Sequence, residues 1–242
     1  KLIRCAFVAE DGCKLLSSDY SQVELRVFAS VSNDPNMCDA FNKDIDIHTN
    51  TAAQIYGVRV EDVTKDMRRS AKAVNFGILY GISSFGLSED LGIDLVQAKK
   101  FIDNYLDSFP NIKEYMDGVK KDAYLNGYVK TIMNRRRIIK ELNSSNYMIR
   151  QSGERMALNT PIQGSAADIL KKAMVDIYNK FRELNLKSRM LLQIHDEIVF
   201  NVYDNELDQV IKIVRDLMEN AFPLKVKLKV DISYGDNLYD AK

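Results

Sequence analysis

Apolar and polar positions divide the chain into strand-like ends and a mostly helical middle. The segment at residues 12–18 and the apolar runs at 190–194 and 198–202 are typical of β-strands. Residues 224–232 alternate between apolar residues and mostly lysines, which predicts a half-buried strand with a cationic outer face. Helical periodicity dominates roughly residues 41–143. The pattern therefore predicts an α+β fold, in which a small antiparallel sheet is backed by helices and carries a helical insertion.

The first strand is predicted to end at Asp19 and Tyr20, and a helix is predicted to begin at once. Ser21 and Glu24 match the Ser-x-x-Glu capping box of a helix N-terminus. Asp19 would then lie at a strand end beside a helix start, a place where functional residues are common. Helix capping is a structural reason for a glutamate at position 24, and it is an alternative to any functional role of Glu24.

Other signals mark where the later helices begin and end. Thr64 is suited to cap a long helix, Pro110 stops the helix that precedes it, and Gly127 follows the next helix as its C′ residue. A hairpin is predicted around residues 134–136. Pro161 is predicted to stand at the first position of the second of two helices.

The second and third β-prone runs enclose His195, Asp196 and Glu197, which predicts a tight hairpin with an acidic tip. Carboxylates on a rigid turn repel one another unless a cation lies between them. A solvated acidic turn is the alternative interpretation. A metal site needs a second carboxylate, which Asp19 would supply if both strands belong to one sheet.

Arg68, Lys72, Phe76 and Tyr80 recur at every fourth position of the helix that Thr64 caps, and therefore share one face. Cations near a helix N-terminus oppose the helix dipole. That cost is explained if an anion such as a phosphate chain binds there. The alternative is a solvated basic turn followed by core aromatic residues.

A second series with a spacing of four consists of Arg155, Asn159 and Gln163, in a segment otherwise rich in Ala, Ile and Leu. These long polar side chains are either the polar edge of a helix or a hydrogen-bonding edge for a nucleic-acid groove or a template base.

Composition narrows the class of protein only in part. No apolar run approaches the roughly 18 residues of a membrane span. The three cysteines form no paired motif, which fits the reducing interior of a cell. The presence of only two histidines argues against a zinc site. The formal net charge of zero speaks weakly against nucleic-acid binding, where the local distribution of charge matters more.

Four segments, in order, resemble motifs of family A DNA polymerases, the bacterial DNA polymerase I group. Residues 19–26 (DYSQVELR) resemble motif A, residues 68–81 (RRSAKAVNFGILYG) motif B, and residues 193–197 (QIHDE) motif C. Residues 161–168 (PIQGSAAD) are also characteristic of that family. The resemblance spans nearly the whole chain.

By this resemblance, residues 1–40 and 143–242 would form the palm and residues 41–142 the fingers. The chain would be a DNA-directed DNA polymerase core, with primer-template DNA and deoxynucleoside triphosphates as partners and no membrane. A monomer continuous with an N-terminal thumb is expected, with an upstream exonuclease left open. The expected location is the bacterial cytoplasm at the nucleoid, with an organellar source left open. The alternative is a catalytically silent, thumbless fragment that only binds primer-template DNA.

The resemblance also implies roles for single residues. Asp19 and Asp196, helped by the Tyr20 carbonyl, would hold two Mg²⁺ ions, with Glu197 in a supporting catalytic role. Nucleotide binding is expected of Arg68, Lys72, Phe76, Tyr80, His48, Gln22 and Glu24, and DNA binding of Arg155, Asn159, Gln163 and His195.

Four of the nucleotide-binding residues have more specific implied roles. Lys72 would also donate a proton to the departing pyrophosphate. Glu24 would exclude a ribose 2′-hydroxyl, so that the substrate is a deoxynucleotide. Phe76, in place of Tyr, implies poor use of dideoxy terminators, and Tyr80 would close the pocket beside the template base.

Overall fold

The computed structural model describes residues 2–242 and confirms the predicted α+β class, with many helices and a small antiparallel sheet. The described chain divides into two compact units. The first contains the residues up to Val23 together with Ala166–Lys242, and the second is Glu24–Ser165. A mostly helical unit is thus inserted into a unit built on the sheet. The predicted boundaries at 40/41 and 142/143 fall inside the second unit, so the palm and fingers ranges stay predictions.

Nine α-helices and six strands make up the described chain. The helices are α1 Val23–Ser32, α2 Pro35–Asn42, α3 Ile47–Tyr56, α4 Lys65–Leu79, α5 Ser84–Leu91, α6 Leu95–Ser108, α7 Pro110–Asn126, α8 Tyr147–Glu183 and α9 Leu207–Glu219. The strands are β1 Cys13–Tyr20, β2 Tyr128–Lys130, β3 Arg136–Ile138, β4 Arg189–Ile194, β5 Glu197–Tyr203 and β6 Val230–Gly235. Short 3₁₀ helices lie at Leu2–Ala6, Val60–Asp62, Lys140–Asn143 and Asp204–Glu206. Within residues 2–242, no helix combines the length and the apolar character that crossing a membrane requires.

The sheet of the first unit has the strand order β4-β5-β1-β6, and every neighbouring pair is antiparallel. β5 is a central strand, and all of its residues except Tyr203 are buried. The register places Asp19 directly opposite Glu197 on one side and opposite Asp231 on the other. The sheet therefore brings the end of β1 to the start of β5, where the acidic residues lie.

The strand predicted over residues 224–232 is wrong in extent, because β6 begins only at Val230. The alternation in burial is real: Val226 and Leu228 are buried, and the lysines at positions 225, 227 and 229 are exposed. An extended segment that lies on an apolar core can alternate between buried and exposed side chains without belonging to a sheet. A β-strand also needs a neighbouring strand with which to form backbone hydrogen bonds. Val230 pairs with Tyr20, the last residue of β1, and the next backbone hydrogen bond runs from the Ser21 N–H, already outside that strand, to the Lys229 carbonyl at 2.9 Å.

The prediction that Pro161 begins a second helix is also wrong, because α8 continues through it as one helix of 37 residues. Proline removes only one N–H from the helix ladder. On either side of it, hydroxyls bond back to carbonyls one turn earlier: the Thr160 hydroxyl donates to the Met156 carbonyl at 2.7 Å, and the Ser165 hydroxyl donates to the Pro161 carbonyl.

The capping box predicted at the start of α1 stays a prediction. The helix begins at Val23, and Gln22 before it has a left-handed backbone with φ of +53°. The Glu24 carboxylate accepts a hydrogen bond from the Tyr80 hydroxyl, so Glu24 also has a contact away from the start of this helix.

The other helix signals agree with the structure. Thr64 caps α4 by accepting from the Met67 N–H at 3.2 Å, and Gly127 ends α7 with φ of +74°. Pro110 ends α6 and begins α7. The predicted hairpin exists as β2 and β3, but its strands have only three residues each.

Gly235→Ala is expected to lower the free energy of unfolding by about 1–3 kcal/mol. A Cβ atom on Gly235 would lie 2.6 Å from the Asp240 Cβ and 2.9 Å from the Asp240 carbonyl carbon, so backbone would have to move. Urea denaturation would measure the change. Gly118→Ala in α7 is the matched control, since a Cβ there meets no atom within 4 Å and alanine should stabilise the helix by up to about 1 kcal/mol. Equal losses in both variants would contradict this account.

Candidate active site

The β4–β5 hairpin and the end of β1 bring Asp19 and Asp196 together. Ile194 pairs with Glu197, so the turn consists of only His195 and Asp196. His195 adopts φ of +57°, a left-handed conformation that costs energy for a residue with a side chain. The Tyr20 N–H donates to the Asp196 carbonyl at 3.2 Å, which fixes the turn against the end of β1.

Asp19 carries an electrostatic cost in this position. Burial raises its pKa to about 6, the negative charges of Asp196 and Glu197 and a hydrogen bond with Asp196 add to the rise, and the charge of Lys242 opposes it. Its Oδ1 atom is buried and has no hydrogen-bond partner. A divalent cation would relieve both the repulsion and the unpaired oxygen.

These residues fit Mg²⁺ better than a metal that needs a full set of protein ligands. Within residues 2–242, no group of three or more His, Cys, Asp or Glu side chains is arranged to hold a metal ion. Mg²⁺ prefers oxygen ligands, keeps several of its waters, and is often bound by one or two carboxylates together with substrate phosphates. Asp19 and Asp196 supply that number of carboxylates.

Glu197, in contrast, is already bound by the protein. Its side chain is only 2% exposed; Ser17 Oγ donates to Oε1 at 2.7 Å and Lys242 Nζ to Oε2 at 2.9 Å. Arg4 Nη2 lies 3.7 Å from Oε2. Burial alone would raise the pKa of Glu197, but the hydrogen bonds from Ser17 and Lys242 and the nearby positive charges lower it.

In the second unit, the cations on α4 are partly compensated by acidic residues. Arg68 donates to Asp46 Oδ2 through Nε at 3.1 Å and Nη2 at 2.7 Å, while Asp46 Oδ1 caps α3. Burial alone would raise the pKa of Asp46, but hydrogen bonds from Arg68 and the Thr49 N–H lower it. Lys72 is exposed and forms no ion pair with any residue of the described chain. Lys72 is therefore the cation of this face that is left for a ligand.

His48 lies beside this face but is 3% exposed. Its Nδ1 atom is 3.0 Å from Asn75 Nδ2, and Asn75 Oδ1 accepts from the Thr51 hydroxyl at 3.2 Å. The network is satisfied when Nδ1 is the acceptor, which leaves the proton of the neutral ring on Nε2. Burial lowers the pKa of His48 to about 4; Asp46 opposes the shift, and the charges of Arg68 and Lys72 strengthen it.

Tyr80 is held by two of the residues predicted to act with it. Its hydroxyl donates to the Glu24 carboxylate and also forms a hydrogen bond with Gln163. Burial and the Glu24 interactions raise the pKa of Tyr80 to about 12. The Phe76 ring is stacked on the Tyr80 ring at a centroid distance of 6.3 Å. Phe76, Tyr80 and Arg155 line one open cavity of about 410 Å³.

The remaining predicted residues are placed as follows. On α8, Arg155 and Gln163 are exposed, and Asn159 is half-buried with an Oδ1 atom that has no hydrogen-bond partner. His195 is exposed at the hairpin turn. Tyr20 is buried, and its hydroxyl donates to the Met218 carbonyl at 2.7 Å, so only its backbone remains for a metal.

Two groups of contact residues were missed by the sequence interpretation. Asn75 and Thr51 fix the His48 ring; a polar residue buried in the apolar run around Val74 is the signal that could have identified Asn75. Ser17, Arg4 and Lys242 fix Glu197, and no pattern along the chain joins them, because residues 4, 17, 197 and 242 meet only through the folded sheet.

Comparison with known proteins defines the class. Residues 1–240 match the model for DNA polymerase family A, and the chain belongs to that family. DNA polymerase I of Bacillus subtilis (strain 168) is 52% identical over 241 residues, and DNA polymerase I of Geobacillus stearothermophilus is 49% identical over the same length. Each match covers 99% of this chain but only 27% and 28% of the relatives, so the chain spans about a quarter of their length.

A solved structure shares the fold. The POL domain of Pol1 from M. smegmatis, in complex with DNA primer-template and dNTP, matches with a TM-score of 0.95 and 41% sequence identity. The match covers 99% of this chain and 42% of that one.

Burial of His48 predicts that its own contribution to stability is lost in acid. The folded-state pKa of about 4 lies below the ordinary 6.5, so the unfolded chain takes up the proton first as the pH falls. The contribution of His48 to stability should therefore be complete above about pH 6.5 and fall by about 3 kcal/mol as the pH approaches 4. Asp19, whose pKa is raised, has the opposite effect on stability in the parent and in a His48 variant alike, so the difference between the two proteins isolates His48. Urea denaturation at about pH 7 and about pH 4.5 would measure it, and His48→Gln should lose less stability than the parent over this range. Parallel losses in the two proteins would contradict the assignment to His48.

Proposed function

We propose that the chain is the catalytic core of a DNA-directed DNA polymerase, which adds deoxynucleotides to a primer 3′-hydroxyl under the direction of a template. The observation that carries this proposal is the pairing of Asp19 with Asp196, which concentrates negative charge around an oxygen without a partner. Membership of DNA polymerase family A, and a fold shared with a polymerase domain bound to DNA and dNTP, support it.

The metal site of the proposal consists of Asp19, Asp196 and the Tyr20 carbonyl, and two Mg²⁺ ions are the proposed occupants. When bound, Mg²⁺ lowers the pKa of the primer 3′-hydroxyl and neutralises charge on the triphosphate and the leaving pyrophosphate. Glu197 acts beside this site as a charge that Ser17 and Lys242 hold in place.

The proposed role of α4 is to hold the incoming triphosphate. Arg68 and Lys72 are exposed cations on one face, and Lys72 is the one with no carboxylate partner in the described chain. Lys72 can also donate a proton to the departing pyrophosphate, because an ammonium is a general acid. His48 contributes the Nε2 proton of its neutral ring, since Asn75 occupies Nδ1. Catalysis then consists of positioning and charge stabilisation, without a covalent enzyme intermediate.

Sugar and base selection are assigned to the residues around Tyr80. Phe76 and Tyr80 offer stacked aromatic faces to a base or sugar. Glu24 is the proposed steric block against a ribose 2′-hydroxyl, and its hydrogen bond from Tyr80 keeps the carboxylate in one position. Gln22 precedes α1 in a left-handed backbone conformation and is proposed to contact the same nucleotide.

Contacts with primer-template DNA are assigned to Arg155, Asn159, Gln163 and His195. Asn159 Oδ1 and the exposed ends of Arg155 and Gln163 leave hydrogen-bonding capacity along α8. Such side chains contact base edges or sugars in a groove.

Residues 1–40 and 143–242 are proposed as the palm and 41–142 as the fingers.

A second candidate is a fragment that binds primer-template DNA but does not extend it. It requires only the hydrogen-bonding side chains along α8, such as Arg155, Asn159 and Gln163, and no metal ion at Asp19 and Asp196. Primer extension with Mg²⁺ separates the two candidates, because only the polymerase lengthens the primer.

Asp196→Asn is expected to reduce primer extension by about a thousandfold or more, because one carboxylate of the metal site is lost. Primer-template binding, measured by fluorescence anisotropy, should change little. Asp208→Asn on the exposed part of α9 is the matched control and should extend primers at the parental rate. Equal loss of binding and extension in Asp196→Asn would count against its role as a metal ligand.

Glu24→Ala is expected to admit ribonucleotides, because the side chain proposed to exclude the 2′-hydroxyl is gone. The measurement is the ratio of kcat/KM for a deoxynucleotide to that for the matching ribonucleotide, which should fall by about tenfold or more. Tyr80→Phe, which removes only the hydroxyl bound to Glu24, should lower the ratio less. An unchanged ratio in Glu24→Ala would remove the assignment.

A further inference from the structure

The last residues of the chain pack tightly against other segments of the first unit, to which they belong. Leu238 and Ala241 are buried with Leu15 and Val199 in one apolar cluster. The Leu238 N–H donates to the Phe7 carbonyl at 2.9 Å. The Ser233 hydroxyl donates to the Ala241 carbonyl at 2.7 Å, directly before Lys242. This segment therefore has a fixed course along the sheet.

The course of this segment depends on a close approach between the backbone at Gly235 and the backbone at residues 240–241. A Cβ on Gly235 would lie 3.1 Å from the Ala241 nitrogen as well as against Asp240, so only glycine leaves room for the chain to pass. The anchored segment delivers the side chain of Lys242 to the acidic end of β1 and β5.

Lys242 places a positive charge inside the carboxylate cluster. Its Nζ lies 2.9 Å from Glu197 Oε2 and 3.8 Å from Asp19 Oδ2, so it bridges two acidic residues that are cross-strand neighbours. Asp19 is the acid whose Oδ1 atom has no hydrogen-bond partner. Because the Lys242 side chain is 48% exposed, its ammonium can move towards solvent without leaving a buried site.

We propose that Lys242 is a positioning residue that serves as an internal counter-ion of the Asp19–Glu197 pair and weakens the affinity of the site for a free divalent cation. This inference rests on the proposed function, in which Asp19 and Asp196 hold Mg²⁺. Two consequences follow from the contacts. The ammonium holds the Glu197 carboxylate to one side, and its charge repels a metal ion that approaches Asp19 before any phosphate has arrived.

The physical reason is the balance of charge. Asp19, Asp196 and Glu197 would together attract divalent cations strongly, with or without a substrate. One ammonium in contact with two of them cancels part of that attraction, and unit charges about 4 Å apart interact by about 1 kcal/mol even in water. A metal ion then binds well only when the phosphates of a nucleotide add their negative charge and their oxygen ligands.

The test is binding of Mn²⁺, used as a probe, to the protein without DNA or nucleotide, measured from the electron paramagnetic resonance signal of free Mn²⁺. Binding that Asp196→Asn removes defines the site. Lys242→Gln should bind Mn²⁺ about fivefold more tightly than the parent at this site. Lys242→Arg keeps the charge and should bind like the parent. Lys172→Gln removes the same charge from an ion pair on α8 and should also leave the affinity unchanged.

Unchanged or weaker Mn²⁺ affinity in Lys242→Gln would overturn the inference, as would equal tightening in Lys172→Gln, which would indicate an effect of net charge. Thermal unfolding without metal checks the fold. If both Lys242→Gln and Lys242→Met failed to unfold cooperatively, Lys242 would be a purely structural residue and the inference would fail. If Asp196→Asn removed no Mn²⁺ from the parent, the proposed metal site itself would fail, which is a distinct result.

Discussion

The antiparallel pairing of β1 with β5 is the constraint on which the candidate site depends. It places Asp19 opposite Glu197, and the Tyr20 N–H binds the carbonyl of the next acidic residue, Asp196. A shift of one residue in this register would turn Asp19 to the other face of the sheet. The two-residue turn then leaves Asp196 no freedom to move away, even though His195 must adopt a left-handed backbone to close it. The acidic site is therefore a consequence of strand register.

This register imposes an electrostatic cost that the protein relieves unequally. Glu197 is fully satisfied by Ser17, Lys242 and Arg4, and its pKa is lowered accordingly. Asp19 is not: burial and Asp196 raise its pKa, and one of its oxygens has no partner. A purely structural cluster would be expected to satisfy every member, since unsatisfied buried polar groups are costly. Unequal satisfaction within one cluster is typical of a functional site, where a ligand completes what the protein leaves open.

The sequence predicts those features that depend on local chemistry. Thr64, Pro110 and Gly127 bound their helices as predicted because a cap, a missing N–H and a left-handed backbone act on the residues beside them. The left-handed backbone of Gln22 before α1 has no such local signal, because a glutamine rarely adopts it.

Features that depend on long-range contacts could not be predicted in the same way. The continuation of α8 through Pro161 was also missed, although it is a local feature of one helix. Proximity of Asp19 to Asp196 could be suggested from two strand ends, and the family resemblance strengthened it, but the register could not be deduced. Lys242 shares no pattern with the residues it contacts, because the packing of the last segment alone brings it to them.

In the second unit, the contacts of the buried face of α4 set the orientation of its exposed face. Ala71, Val74 and Ile78 are buried, and α4 packs against α3 through this side. Asn75 lies on the same side of α4. It is fully buried and forms hydrogen bonds with His48 and Thr51 of α3. Apolar contacts alone would tolerate rotation of one helix against the other, whereas a buried polar group must meet its partners in one arrangement. The direction in which Lys72 and Phe76 point is therefore fixed by a hydrogen-bond network on the hidden side of the same helix.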